Sequence, residues 1–165
     1  MTGSAVVAVV GPGSRDTDAT DLTHAYEVGR RLAERGIAVL TGGRDGVMAE
    51  AARGVRDAGG LAVGLLPGGD RAAGNEFLTV AVPTGLGQLR NALLVNASDA
   101  VLAVGCSWGT LSEICLAQRV GKPLVCLRPW QVRDAAGRDV PLPTATDPAA
   151  AVRMIASLLP PPRPG

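Results

Sequence analysis

Short apolar runs rich in Val, Leu and Ala recur along the chain and alternate with longer stretches in which apolar positions return every third or fourth residue. The runs at 5–10, 37–40, 61–66, 78–82, 100–104 and 123–127 predict strands, since a strand covered on both faces reads as a near-continuous apolar segment. Between them, 21–35 predicts a helix: Leu22, Ala25, Val28 and Leu32 form one apolar stripe, and Gly36 follows as a C-terminal cap. The stretches 47–58, 86–97 and 110–120 read likewise, and 148–159 predicts a closing helix with Asp147 as its N-cap and Pro148 in its first turn. "RPWQVRDAAGRDVPLPTATD" is an irregular excursion before that helix, and 160–165, "PPPRPG", is expected to be a disordered tail.

This alternation predicts an α/β fold, a Rossmann-like three-layer sandwich with a mostly parallel sheet, formed by one domain over 1–159. In such a sheet, ligands bind beyond the carboxyl ends of the strands, where the strand order reverses. The loops at those ends are glycine-rich: "GPGSRD", "TGGRDG", "PGGDRAAGNE", "PTG" and "GCSWGT". Glycine is sparser at the opposite edge, so one edge of the sheet is kept open for close backbone approach.

Composition removes several classes of function. With 165 residues, 47% of them hydrophobic, the chain can bury one sizeable core but not two. A net charge of +1 without a Lys/Arg block, and only 2% aromatic residues, give no basis for a nucleic-acid partner. Cys106, Cys115 and Cys126 lack the spacing of a zinc site or a disulfide framework, so no metal site is expected and a reducing cytoplasm is the simplest location. The apolar run near the N-terminus is too short to cross a bilayer, and no membrane partner is expected.

Common nucleotide and cofactor motifs fail as well. "GPGSRD" has Asp16 where a dinucleotide fingerprint needs its third glycine, and no acid follows the second strand to hold a ribose. A P-loop is absent, and Lys122, the sole lysine, falls in a turn at the opposite edge of the sheet from a Schiff-base site. Two loops do suit an anion: Gly42, Gly43 and Gly46 precede the helix at Val47, and Gly105 to Gly109 precede the helix at Thr110. At each, unpaired N–H groups and the helix dipole would face the loop.

"GGRDGVMAEAARG", "TGLGQLRNALLVNASDAVLAV" and "GTLSEI", in this order, resemble the LOG-like family of cytokinin riboside 5′-monophosphate phosphoribohydrolases, often labelled lysine decarboxylases. The resemblance runs from about Gly11 to Leu127 and is closest to a small bacterial branch that also resembles a molybdenum-cofactor carrier protein. Aligned on Gly109, Thr110 and Glu113, the family pattern PGGxGTxxE reads here as GCSWGTLSE. Gly105, Cys106 and Ser107 stand where Pro-Gly-Gly is usual, and Ser112 stands where the hydrolases have the first of two adjacent glutamates. Arg90 matches the family's active-site arginine, while Asn91 replaces the lysine that commonly follows it. The resemblance implies a phosphate-bearing, nucleotide-like ligand and a homo-oligomer.

Cleaving an N-glycosidic bond passes through an oxocarbenium-like state, which calls for a carboxylate near the ribose and donors that fix the phosphate. Glu113 is the candidate carboxylate and Arg90 the candidate cation, so these are the expected catalytic residues. Gly11, Ser14, Gly42, Gly43, Gly46, Cys106, Ser107, Trp108, Gly109 and Thr110 make up the expected ligand-binding set. Within it, Cys106 serves either as a packed residue or as a thiolate at a helix start. Trp108 either stacks on a flat purine or pterin or closes a subunit contact. His24, the only histidine, lies too early in the first helix to complete a catalytic triad. Two functions follow. The chain is a hydrolase of nucleoside 5′-monophosphates that needs no cofactor, or a non-catalytic binder that carries a molybdenum cofactor or a nucleotide.

Overall fold

The computed structural model of the chain describes residues 5–160. Six strands, β1 Val6–Val10, β2 Ala38–Thr41, β3 Ala62–Leu66, β4 Val80–Pro83, β5 Ala100–Val104 and β6 Leu124–Leu127, form one sheet in the order β4-β3-β2-β1-β5-β6. All of these pairings are parallel, so the sheet expected to be mostly parallel is parallel throughout its named strands. Five α-helices connect or close it: α1 Ala19–Ala33, α2 Val47–Asp57, α3 Arg90–Ala97, α4 Trp108–Arg119 and α5 Pro148–Leu158.

Strand residues alternate between two apolar layers, as the pleat requires. Val7, Val9, Val39, Leu102 and Val104 pack against α1, α2 and α5, while Ala8, Val10, Leu40, Val101 and Ala103 pack against α3 and α4. The result is the expected three-layer sandwich. Helices α1 and α2 meet backbone to backbone, since a Cβ at Gly29 would strike the Ala51 carbonyl and one at Gly54 the Tyr26 carbonyl.

Strand order reverses between β1 and β5, which both leave the sheet at its centre and diverge to opposite sides. This is the crevice where an open parallel sheet binds its ligand. Several element ends differ from expectation for local reasons. Helix α1 starts at Ala19 because the Asp18 carboxylate accepts from the Asp21 N–H at 2.9 Å, and α4 starts at Trp108 because Ser107 caps it. The helix expected over 86–97 begins as a 3-10 turn, Gly87–Leu89, preceded by Gly85 at φ 67° and opened by Gly87 at φ 55°; only Arg90–Ala97 is α-helical. The excursion after β6 returns to the sheet through a bridge of Thr144 to Cys126. Most of the expected tail, 161–165, lies outside the described residues.

Candidate functional site

A cleft of about 150 Å³ opens at the reversal point. Val10, Gly11 and Gly13 come to it from the end of β1, and Gly42 and Met48 from the loop after β2 and from α2. Gln88, Arg90 and Asn91 line it from the start of α3, and Ser107, Gly109, Thr110 and Glu113 from the start of α4. Of the expected site residues, the fold therefore gathers Gly11, Gly42, Arg90, Ser107, Gly109, Thr110 and Glu113 around one cleft.

The α4 end of the cleft is a helix start in which Ser107 is the N-cap. Its hydroxyl accepts from the Thr110 N–H at 3.3 Å and lies 3.0 Å from the Thr110 hydroxyl. Thr110 is therefore engaged by the cap, whereas the N–H groups of Trp108 and Gly109 have no partner among the described residues. A Cβ added at Gly109 would meet nothing nearer than the Ser107 hydroxyl at 3.8 Å, so this backbone is bare on its open side. Unpaired N–H groups and the helix dipole together favour an anion there.

Opposite lie two charged side chains that burial has left incompletely matched. An Arg90 guanidinium nitrogen stands 3.5 Å from a Glu113 carboxylate oxygen, longer than a charge-assisted hydrogen bond. Burial raises the Glu113 carboxyl to about 7, and the attraction of Arg90 opposes but does not cancel that rise. Burial also pulls Arg90 below its ordinary value, against the pull of Glu113, with Arg44 adding repulsion. The buried Arg90 Nε has no hydrogen-bond partner among the described residues. Gly42 makes room for this guanidinium, since a Cβ there would sit 2.7 Å from its nearest nitrogen.

The remaining expected residues stand outside the cleft lining. Gly43 is at φ 76°; its N–H donates to the Thr41 hydroxyl at 3.0 Å, and its carbonyl accepts from the Asn75 N–H at 2.9 Å. Gly46, at φ 64°, packs against the β1 loop: a Cβ there would lie 2.5 Å from the Pro12 carbonyl, which already accepts from the Val47 N–H at 3.1 Å. Ser14 donates to Asp45 at 2.7 Å and ties the same two loops together. Cys106 is buried, and burial pushes its thiol up, away from a reactive thiolate. Trp108 is 79% exposed, its ring edge-on to Trp130.

Gln88, Asn91, Met48, Gly13 and Val10 belong to the lining and were not among the expected site residues. Asn91 and Gln88 flank Arg90 closely, and that adjacency was the available signal. Asn91 donates to the Ser112 hydroxyl at 3.2 Å, and Ser112 donates in turn to the Gly109 carbonyl at 2.6 Å. Among the described residues, no three His, Cys, Asp or Glu side chains gather to hold a metal ion, and no helix is long and apolar enough to cross a membrane.

A doubly wound parallel sheet with an anion-ready helix start and an Arg–Glu pair at its reversal point defines a ligand-binding protein of the Rossmann-like class. Residues 4–152 match the SLOG cluster4 family, and the chain belongs to that family. Solved structures similar to it over nearly its full length include two molybdenum cofactor proteins. One is the molybdenum cofactor binding protein of the phototrophic bacterium Rippkaea orientalis, at 34% identity and TM-score 0.85, covering 96% of this chain and 99% of that one. The other is the molybdenum cofactor carrier protein of Chlamydomonas reinhardtii, at 34% identity and TM-score 0.83, covering 94% and 98%. A probable cytokinin riboside 5′-monophosphate phosphoribohydrolase of Oryza sativa subsp. japonica is 36% identical over 93 residues, 54% of this chain but only 38% of the rice protein. The LOG-like resemblance of the sequence is thereby borne out.

Proposed function

We propose that the chain binds a phosphate-bearing small molecule with a flat heterocycle, of the pterin or nucleotide class, and acts as a non-catalytic binder or carrier, with a molybdenum cofactor as its cargo. The phosphate lies against the Trp108 and Gly109 N–H groups, and Arg90 supplies a charged donor from the facing helix. The observation that carries this reading is the hydrogen bond between Asn91 and Ser112. These are the positions at which the LOG-like hydrolases commonly have a lysine and a glutamate, and here a neutral pair fills both. Among the described residues, Glu113 is the one acidic residue in the cleft lining, whereas glycosidic bond cleavage generally divides its work between two carboxyl groups. Similarity to molybdenum cofactor proteins over almost the whole chain supports the same reading.

A second reading, hydrolysis of a nucleoside 5′-monophosphate, draws on the burial of Glu113, which raises its carboxyl. A carboxyl near 7 is suited to protonate a departing base at neutral pH. Calorimetry and base-release assays with a panel of nucleoside 5′-monophosphates separate the two. The carrier reading expects binding with no free base released, and unchanged affinity in Glu113→Gln. Release of base by the native protein, lost about a hundredfold or more in Glu113→Gln, would establish the hydrolase instead.

Exposed Leu86, Leu89 and Leu93 beside the cleft support a homo-oligomer, which sedimentation would read directly. Free Cys106, Cys115 and Cys126 fit a reducing, cytoplasmic setting.

A further inference from the structure

The chain spends aromatic residues sparingly, with two Trp, one Tyr and one Phe in all. Both tryptophans nevertheless sit together at the binding edge of the sheet, their ring centroids 5.1 Å apart and their planes at 86°. Neither is core: Trp108 is 79% exposed and Trp130 is 40% exposed. Trp108 is the first residue of α4, between Ser107 and Gly109, which both line the cleft. An indole left this open costs the free protein hydration of a large apolar face, a cost that a flat ligand would remove.

Trp130 lies in the turn that follows β6, shortly beyond Leu127. Two residues earlier the chain passes through Arg128 at φ 53°, a left-handed conformation that disfavours a side chain. Arg128 is fixed there by Asp18, at 2.7 Å, and by the buried Asp21, at 3.6 Å. Arg128 thereby ties the turn after β6 to the start of α1, and that turn brings Trp130 against Trp108.

The cleft itself is small. Its volume of about 150 Å³ falls below the roughly 300–1,000 Å³ usual for small-molecule sites, so it suits the phosphate-bearing end of a ligand rather than the whole. We infer that Trp108, braced edge-on by Trp130, is the ring-binding half of the site: the planar heterocycle of the ligand, a pterin or purine, stacks on the Trp108 indole while its phosphate occupies the α4 start. This rests on the phosphate-binding reading above and adds to it the residues that recognise the ring.

Two probes separate the halves. Guanosine 5′-monophosphate carries a phosphate and a ring whose 2-amino-4-oxopyrimidine half it shares with pterins; ribose 5-phosphate carries the phosphate alone. The native protein should bind the nucleotide at least about tenfold more tightly than the sugar phosphate, with a change in tryptophan fluorescence for the nucleotide. Trp108→Ala should erase that tenfold difference by weakening the nucleotide, and Trp108→Phe should keep most of it. Trp130→Ala should produce a smaller loss of the same kind. Equal nucleotide affinity in native and Trp108→Ala protein would overturn the inference, as would a changed oligomer mass accompanied by unchanged binding, which would make the pair a subunit contact. If ribose 5-phosphate binds but the nucleotide binds no better, the ring platform fails and the phosphate cleft stands. If neither probe binds the native protein, both fail together.

Discussion

The loop after β2 and the loop after β5 look alike in sequence and do opposite things in the fold. Both are glycine-rich, both leave a central strand, and both open a helix. In the first, Gly43 and Gly46 are taken up by packing, although Gly42 lines the cleft: Gly43 donates to Thr41, and Gly46 lets α2 press its first N–H onto the Pro12 carbonyl. In the second, Gly109 faces open space, and the N–H groups of Trp108 and Gly109 have no partner among the described residues. A glycine ahead of a helix thus has two distinct uses. One lets the protein's own backbone come close, and the other lets a ligand do so. Only the contacts on the far side of the glycine distinguish them.

The largest effect is expected of Gly46→Val. Its positive φ and the Pro12 carbonyl oppose any side chain, so the variant should lose about 3 kcal/mol or more of stability, read by urea unfolding. Native-like stability would mean the β2 loop is not packed as described.

A smaller effect is expected at the facing arginine. Arg90→Ala should weaken ribose 5-phosphate by about 2 kcal/mol, within the range for hydrogen bonds to charged groups, and leave guanosine, which has no phosphate, unaffected. Equal losses for both ligands in calorimetry would make Arg90 a structural residue.

Smaller again is a dependence of stability on pH. The folded state holds the Glu113 carboxyl at about 7 against an ordinary 4.5, so folding favours its protonated form. The stability this contributes is complete below about pH 4.5 and is lost as pH rises through 7. Glu113→Gln, which resembles the protonated form, should remove this slope and gain on the order of 1–2 kcal/mol relative to the native protein at pH 8, measured by denaturant unfolding. A native profile parallel to the variant's between pH 5 and 8 would contradict the assignment.

The sheet and the α4 side of the site could be read from the chain because they depend on local pattern: apolar runs fix the strands, and "GTLSE" fixes Thr110 and Glu113 on one helix. Other features depended on distant partners. That Gly43 and Gly46 serve packing follows from Thr41, Asn75 and Pro12, none of which the loop itself announces. Gln88 escaped notice because Gly85 and Gly87 turn the expected helix start into a 3-10 turn that brings the glutamine over the cleft. The Asn91–Ser112 bond joins residues 21 positions apart, each visible alone only as a departure from the family pattern. Ser107, one of the residues expected to bind ligand, lines the cleft and also shapes the helix start through its cap hydrogen bond with Thr110, a role that needs the fold to be seen.

On the binding reading proposed above, the bare backbone at Gly109 receives the phosphate. Titration of Gly109→Val with ribose 5-phosphate, alongside a thermal melt, tests it most directly. With no atom nearer than 3.8 Å to a new Cβ, the variant should melt within a few degrees of the native protein, the shift expected of a change of ~1 kcal/mol or less, and should bind no ribose 5-phosphate. A variant that folds and binds the sugar phosphate with native affinity would place the phosphate elsewhere than at Gly109.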